Sequence, residues 1–403
     1  MRIAVNAVRV SKKSGGGFET YVINTVNHLA RIHPELDVYT LYPEHFPSVP
    51  QDHLVRVGPG FRRPPGLAAA GAPASSANGG PPSLPGRFGL SGDSLRMLWT
   101  QAFLPAHLFL KNYDLFFAST HLDALPFSPV PQVVNVQDTI PLVFPEQEHK
   151  YVPYLRHVLP TVYRRADHLL AVSENTKKDM TRFYGIPAEK ITVIYEAIDH
   201  SLFRPQAAAP EKLAGWRLPE KFILSVSSNL PHKNLPRLIE AYGSLRKDVR
   251  LPLVIIGFLT PKYQKEIGDI MGRSGLTDSD VRFLGHFPMK DLPAIYSACT
   301  CFAFASLYEG FGFPPLEAMA SGAPVVVSKA ASIPEVVGDA GAYVDPLDPD
   351  SIAEGLRKVL SDQELRKDMS RKGLDQAKKF TWEKTAAQTL RVFREVLAGR
   401  KGT

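Results

Sequence analysis

Glu309-Gly310-Phe311-Gly312-Phe313-Pro314-Pro315-Leu316-Glu317-Ala318-Met319-Ala320-Ser321-Gly322 is the densest chemical signal in the chain. It follows an apolar run at 301–305 that reads as a strand. Gly310 and Gly312 permit a tight turn that exposes backbone N–H groups. Pro314 and Pro315 suit the first helical positions, where no N–H is needed. A helix is therefore predicted over 316–321, with its positive end beside the glycines, an arrangement that attracts anions. Glu309 stands before the turn and Glu317 inside the first helical turns. They do not share a helix face. They can instead address two parts of one extended ligand, with Glu317 a good acceptor for vicinal hydroxyls.

Strands and helices alternate on both sides of this segment. Towards the C-terminus come a strand at 324–328 and then, beyond residue 350, helical sequence with few breakers. Towards the N-terminus, strands at 222–227, 253–257 and 281–284 alternate with helices at 235–245 and 292–298. A similar series fills the first half: strands at 2–10, 37–42, 114–118, 132–136, 168–172 and 191–194, with a helical pattern carrying Tyr21, Val22, Val26, Leu29 and Ile32 and a second helix capped by Ser173. Pro- and Gly-containing residues 205–219 read as the linker. Two strand–helix series predict an α/β chain of two doubly wound domains facing across a cleft, with ligands beyond the carboxyl ends of the strands. The Pro-, Gly-, Ala- and Ser-rich stretch within 58–92 reads as a mobile insertion in the first domain.

At 403 residues the chain is too long for one core. Its 44% hydrophobic and 22% charged residues exclude wholesale disorder. The longest apolar run, about nine residues at 251–259, is far short of the roughly 20 of a membrane span. No small-residue cleavage pattern follows the N-terminus, so a secretory leader is not expected. The net charge of +7 divides into +3 up to residue 205 and +4 beyond it, giving no basic half and no case for nucleic-acid binding. Cys299 and Cys301 are expected to lie buried on one strand, facing opposite ways and unpaired.

The Glu-x7-Glu segment resembles the signature of the large retaining glycosyltransferase family 4, whose GT-B architecture pairs two Rossmann-like domains. Val172-Ser173-Glu174-Asn175-Thr176-Lys177, Pro231-His232-Lys233-Asn234-Leu235, Phe283-Leu284-Gly285-His286, Ile333-Pro334-Glu335-Val336 and Phe380-Thr381-Trp382-Glu383 resemble further family segments. The resemblance implies an N-terminal acceptor domain over 1–205 joined by a crossing helix at 386–403, and a donor domain over 206–385. It implies a nucleotide diphosphate sugar as donor substrate and no cofactor. Lys233 would place a point charge on the phosphates, and the amides of Gly16 and Gly17 would approach them. Ser228 and Asn229 occupy the slot where relatives often carry an Arg, a missing charge for which His232 or Arg237 would compensate. Glu317 would hold the ribose hydroxyls and Glu309 the donor sugar. Backbone groups of Gly310, Phe311, Gly312 and Phe313 would contact sugar and phosphate, and Leu284 the base.

Gln137-Asp138 stands where many relatives have His-Asp. Gln137 can hydrogen-bond a sugar there but carries no proton at neutral pH. The implied reaction is retaining transfer: the acceptor attacks on the face from which the phosphate leaves, and a phosphate oxygen takes the proton. Catalysis would rest on Glu309, Lys233, Gln137 and Asp138. Asp278-Ser279-Asp280 has the form of a metal-binding D-x-D, but GT-B relatives need no metal, and none is expected. The segments Leu95-Arg96-Met97-Leu98-Trp99-Thr100-Gln101, Leu104-Pro105, Ile140-Pro141 and Phe144-Pro145-Glu146 resemble bacterial mannosyl-transferring members. GDP-mannose is thus the first donor expected, then UDP-glucose or UDP-N-acetylglucosamine, with a saccharide or lipid-linked acceptor. A nucleotide-binding regulatory module without turnover is the other reading. A cytoplasmic protein is expected, with Tyr154, Leu155, Val158 and Val162 opposing Arg156, Arg164 and Arg165 as a possible peripheral contact with the inner face of the membrane.

Overall fold

The computed structural model describes residues 1–11, 16–57, 96, 99–146, 152–207, 210–228 and 230–401. The insertion expected at 58–92 and Asn229 lie outside them. The chain forms two compact units: residues 1–135 with 162–168 and 390–403, and residues 136–161 with 169–389.

Among the described residues, thirteen strands make two sheets. The first is ordered β3-β2-β1-β4-β5-β6-β7, with β1 Ile3–Asn6, β2 Leu36–Thr40, β3 Leu54–Arg56, β4 Leu115–Ala118, β5 Gln132–Val136, β6 His168–Ala171 and β7 Ile191–Val193. The second is ordered β10-β9-β8-β11-β12-β13, with β8 Ile223–Val226, β9 Leu253–Ile256, β10 Val281–Phe283, β11 Cys301–Phe304, β12 Val325–Ser328 and β13 Gly341–Val344. Every pairing in the second sheet is parallel. A parallel sheet is covered on both faces, which explains runs such as Val325-Val326-Val327 that are apolar throughout and buried.

Helix Gly17–Ile32 buries Tyr21, Val22, Val26 and Leu29, one stripe at helical spacing. Helix Glu174–Tyr184 starts where Ser173 accepts from the Thr176 N–H and stops at Gly185, whose φ of 64° suits glycine. The sheet order of the second unit reverses between β8 and β11. In open α/β sheets such a reversal leaves a crevice at the carboxyl ends of the strands. That is where the candidate site lies.

Three local expectations are corrected. Residues 205–219 are not plain linker, because helix Pro210–Gly215 forms within them. Residues 152–165 make two short helices, Val152–His157 and Leu159–Arg165. Of the apolar residues expected to form one strip, Leu155 and Val162 are buried and Tyr154 and Val158 half-buried. Cys299 and Cys301 are free and buried, but Cys299 caps helix Leu292–Ala298 while Cys301 opens β11. They do not share a strand, and two positions two apart on one strand would have faced the same way.

Candidate active site

Lys233 ends a short helical turn after β8, and Glu309 follows β11, the neighbouring strand. The switch in strand order therefore brings together two residues far apart in sequence. Lys233 Nζ donates to both carboxylate oxygens of Glu309, at 2.8 and 2.9 Å. The side chains are only 17% and 9% exposed, so the pair is shielded from water and its charges act strongly on anything beside it. Sequence reasoning gave Lys233 to phosphate and Glu309 to sugar. The structure makes them one unit, with one ammonium N–H left for a further acceptor.

The glycine turn after Glu309 is fastened by its carbonyls. Ser173 Oγ donates to Gly310 O at 2.7 Å, and Ser332 Oγ lies 2.9 Å from Glu309 O and 2.6 Å from Phe311 O. Among the described residues, no acceptor engages the N–H groups of Gly310, Phe311 or Gly312. The turn thus points satisfied carbonyls into the protein and keeps donors for a ligand. Gly312, at φ 120°, is the N-cap of helix Phe313–Ala320, whose second and third residues are the prolines. Gly310 is required for contact: a Cβ there would sit 2.2 Å from Gln137 O and 2.9 Å from Asp138 Cβ. Gly310→Ala is expected to push the turn off residues 137–138 and to lower stability by about 1–3 kcal/mol, measured as a drop in melting temperature.

Gln137 and Asp138 are half-buried after β5. Asp138 Oδ1 accepts from the Ile140 N–H at 2.9 Å. Thr139 Oγ1 lies 2.9 Å from the hydroxyl of Tyr308, which also bonds Asp179 and, at 3.0 Å, Asn175. This buried network seats residues 137–139 against the residue before Glu309. Glu335 accepts from the N–H groups of Glu174 and Asn175 at 2.7 and 2.9 Å, so a matched segment proves to be a helix cap.

Glu317 lies within helix Phe313–Ala320 and accepts from Tyr296 Oη at 2.8 Å. Burial pushes its pKa up to about 7, with the tyrosine hydrogen bond opposing. Ser228 follows β8 and its carbonyl accepts from Ser227 Oγ at 3.3 Å. Leu284 follows β10 and its N–H donates to Ile255 O at 3.0 Å. It sits beside the Gly257–Gly285 bridge and near Phe258, whose ring stacks 6.0 Å from His286. Gly16 and Gly17 belong to the first unit, where the Gly16 N–H donates to Glu19 at 3.3 Å.

The expected charge compensation is corrected for one residue. His232 is buried, and burial, reinforced by Lys233, pulls its pKa down to about 4, so it is neutral at pH 7. Arg237 instead donates to Asn234 Oδ1 at 3.0 Å. Sequence reasoning missed the roles of Ser332, Tyr296 and Tyr308. Ser332 immediately precedes a matched segment, which was the one available signal.

Residues 15–202 match the model of Glycosyltransferase Family 4, and residues 211–376 that of Glycosyl transferases group 1. The chain is 33% identical over 247 residues to O-antigen chain mannosyltransferase B of Escherichia coli, a match covering 60% of this chain and 64% of that relative, less than two thirds of its length. Among solved structures, sucrose-phosphate synthase from Thermosynechococcus elongatus superposes with a TM-score of 0.73 at 20% identity, covering 99% of each chain. Anabaena HepE in complex with UDP and glucose gives 0.69 at 20% identity, covering 98% of this chain and 100% of that one. Residues 15–202 and 211–376 thus each resemble a glycosyltransferase domain, and the chain has the GT-B fold.

Proposed function

We propose that the chain is a retaining, metal-independent glycosyltransferase that moves mannose from GDP-mannose to a saccharide or lipid-linked acceptor in the cytoplasm. The observation that carries this reading is the shielded Lys233–Glu309 pair beside a turn with three unengaged N–H groups. Such donors suit charge growing on a leaving diphosphate. The likeness to an O-antigen mannosyltransferase supports mannose.

The C1–O bond to the diphosphate breaks while the acceptor oxygen bonds C1 on the same face. The acceptor proton passes to the departing phosphate oxygen, so no protein base is needed. Lys233 and the amides of Gly310, Phe311 and Gly312 hold the phosphate charge. Glu309 orients the sugar, and Gln137 hydrogen-bonds one of its hydroxyls. Glu317 takes the ribose hydroxyls and Leu284 packs near the base.

The test is turnover of GDP-mannose, UDP-glucose and UDP-N-acetylglucosamine by the purified protein, with EDTA, on mannoside and polyprenyl-linked acceptors. An α-linked mannoside formed at an unchanged rate in EDTA is expected. Turnover with UDP-sugars alone reverses the donor assignment. Nucleotide binding without turnover on any acceptor points to a regulatory module.

A further inference from the structure

We propose that Glu196 is a positioning residue for Gln137, holding its amide so that the amide oxygen is turned to the donor sugar. The proposal rests on the reading of Gln137 as a sugar contact.

Glu196 follows β7 and is 2% exposed. Its surroundings belong to the site. The preceding Tyr195 has its carbonyl anchored by Thr385 Oγ1 at 2.9 Å and its ring 6.3 Å from that of Phe311 in the glycine turn. Glu196 Oε1 and Gln137 Nε2 are both buried, and neither makes a well-formed hydrogen bond to any described residue. They lie close enough for the Gln137 amide to favour the Glu196 carboxylate. Each is therefore the other's available partner. The Gln137 backbone cannot retreat, because Gly310 packs against its carbonyl.

A buried polar group is retained at a cost unless it is hydrogen-bonded, so a carboxyl here needs the Gln137 N–H as much as Gln137 needs an acceptor. Burial, with Asp138 nearby, drives the Glu196 pKa well above the usual carboxylate range. In either protonation state a carboxyl oxygen of Glu196 can accept from Nε2. A side-chain amide has one donor end and one acceptor end. With Nε2 committed inward, Oε1 is the end presented outward, ready to accept from a sugar hydroxyl.

The experiment compares wild type, Glu196→Met, Glu196→Asp, Glu196→Gln, Gln137→Ala and the Gln137→Ala/Glu196→Met double variant. It measures melting temperature, calorimetric affinity for GDP and for GDP-mannose, and kcat. Glu196→Met is expected to cost about tenfold in GDP-mannose affinity or kcat and to leave GDP affinity unchanged. Glu196→Asp, whose carboxyl is drawn back by one methylene, is expected to show the same sugar-specific loss even if the methionine variant does not fold. Glu196→Gln is expected to restore most of the function. The double variant is expected to be no worse than Gln137→Ala alone. Equal losses for GDP and GDP-mannose, or losses that multiply in the double variant, would overturn the positioning role. A wild-type protein that binds neither GDP nor any sugar nucleotide overturns the donor reading beneath it, a different result.

Discussion

Lys233→Ala is expected to lower kcat by about 10²–10³ while the protein still melts cooperatively. The ammonium serves two tasks. It neutralises Glu309 through bonds of 2.8 and 2.9 Å, and in the proposed reaction its remaining N–H serves the phosphate. Without it, a carboxylate only 9% exposed loses its counter-charge beside the proposed diphosphate site. In the proposed reaction that carboxylate then repels the leaving group. Breaking a fully buried pair costs about 3–5 kcal/mol, and this pair, with Lys233 at 17% exposure, should lose less. Glu309→Ala is expected to lower kcat similarly. Because the two side chains touch, the double variant should be no slower than the slower single one. Steady-state kinetics on all three proteins tests this. Near-normal turnover in either single variant removes the pair from catalysis.

The second large effect concerns Glu317 and pH. With its pKa near 7, the acid is mostly protonated at pH 6 and mostly ionised at pH 8. Two ribose hydroxyls at the proposed site would donate more strongly to the ionised form, whose charge strengthens both hydrogen bonds. Nucleotide affinity should therefore rise about tenfold from pH 6 to pH 8. Phosphate ionisation adds its own pH dependence, so the readout is the ratio of wild type to Glu317→Gln. That ratio should grow with pH and level off above pH 7. In the free protein the sign is opposite: the folded state binds the proton more tightly than the unfolded chain, whose carboxyl titrates near 4.5. Stability should therefore fall as pH rises from there through about 7. A flat affinity ratio removes Glu317 from the ribose.

The alternation of strands and helices was legible because buried parallel strands are apolar throughout and their helices carry a stripe of apolar residues. The glycine turn and its prolines were legible because few residue types tolerate those conformations. Lys233 stood out as a candidate. Its pairing with Glu309 did not, because only the reversed strand order sets β8 beside β11. Glu196 was silent in the sequence: a lone glutamate reads as surface, and nothing local signals its burial. His232 looked like a spare charge, but charge depends on burial, which one-dimensional spacing does not carry. The break at Val158 was missed because the apolar spacing of 152–165 reads as one continuous helix.

Leu284 and the Gly257–Gly285 bridge stand at the tips of β9 and β10, whereas Lys233 and Glu309 follow β8 and β11. If the nucleobase rests on the outer two strands, its identity is decided by different stretches of chain from those that handle the anomeric carbon. Exchanging guanine for uracil then requires rebuilding only two loops, with the reacting machinery left intact, and a scaffold of this kind can change its donor through a handful of substitutions at residues 257–260 and 284–287.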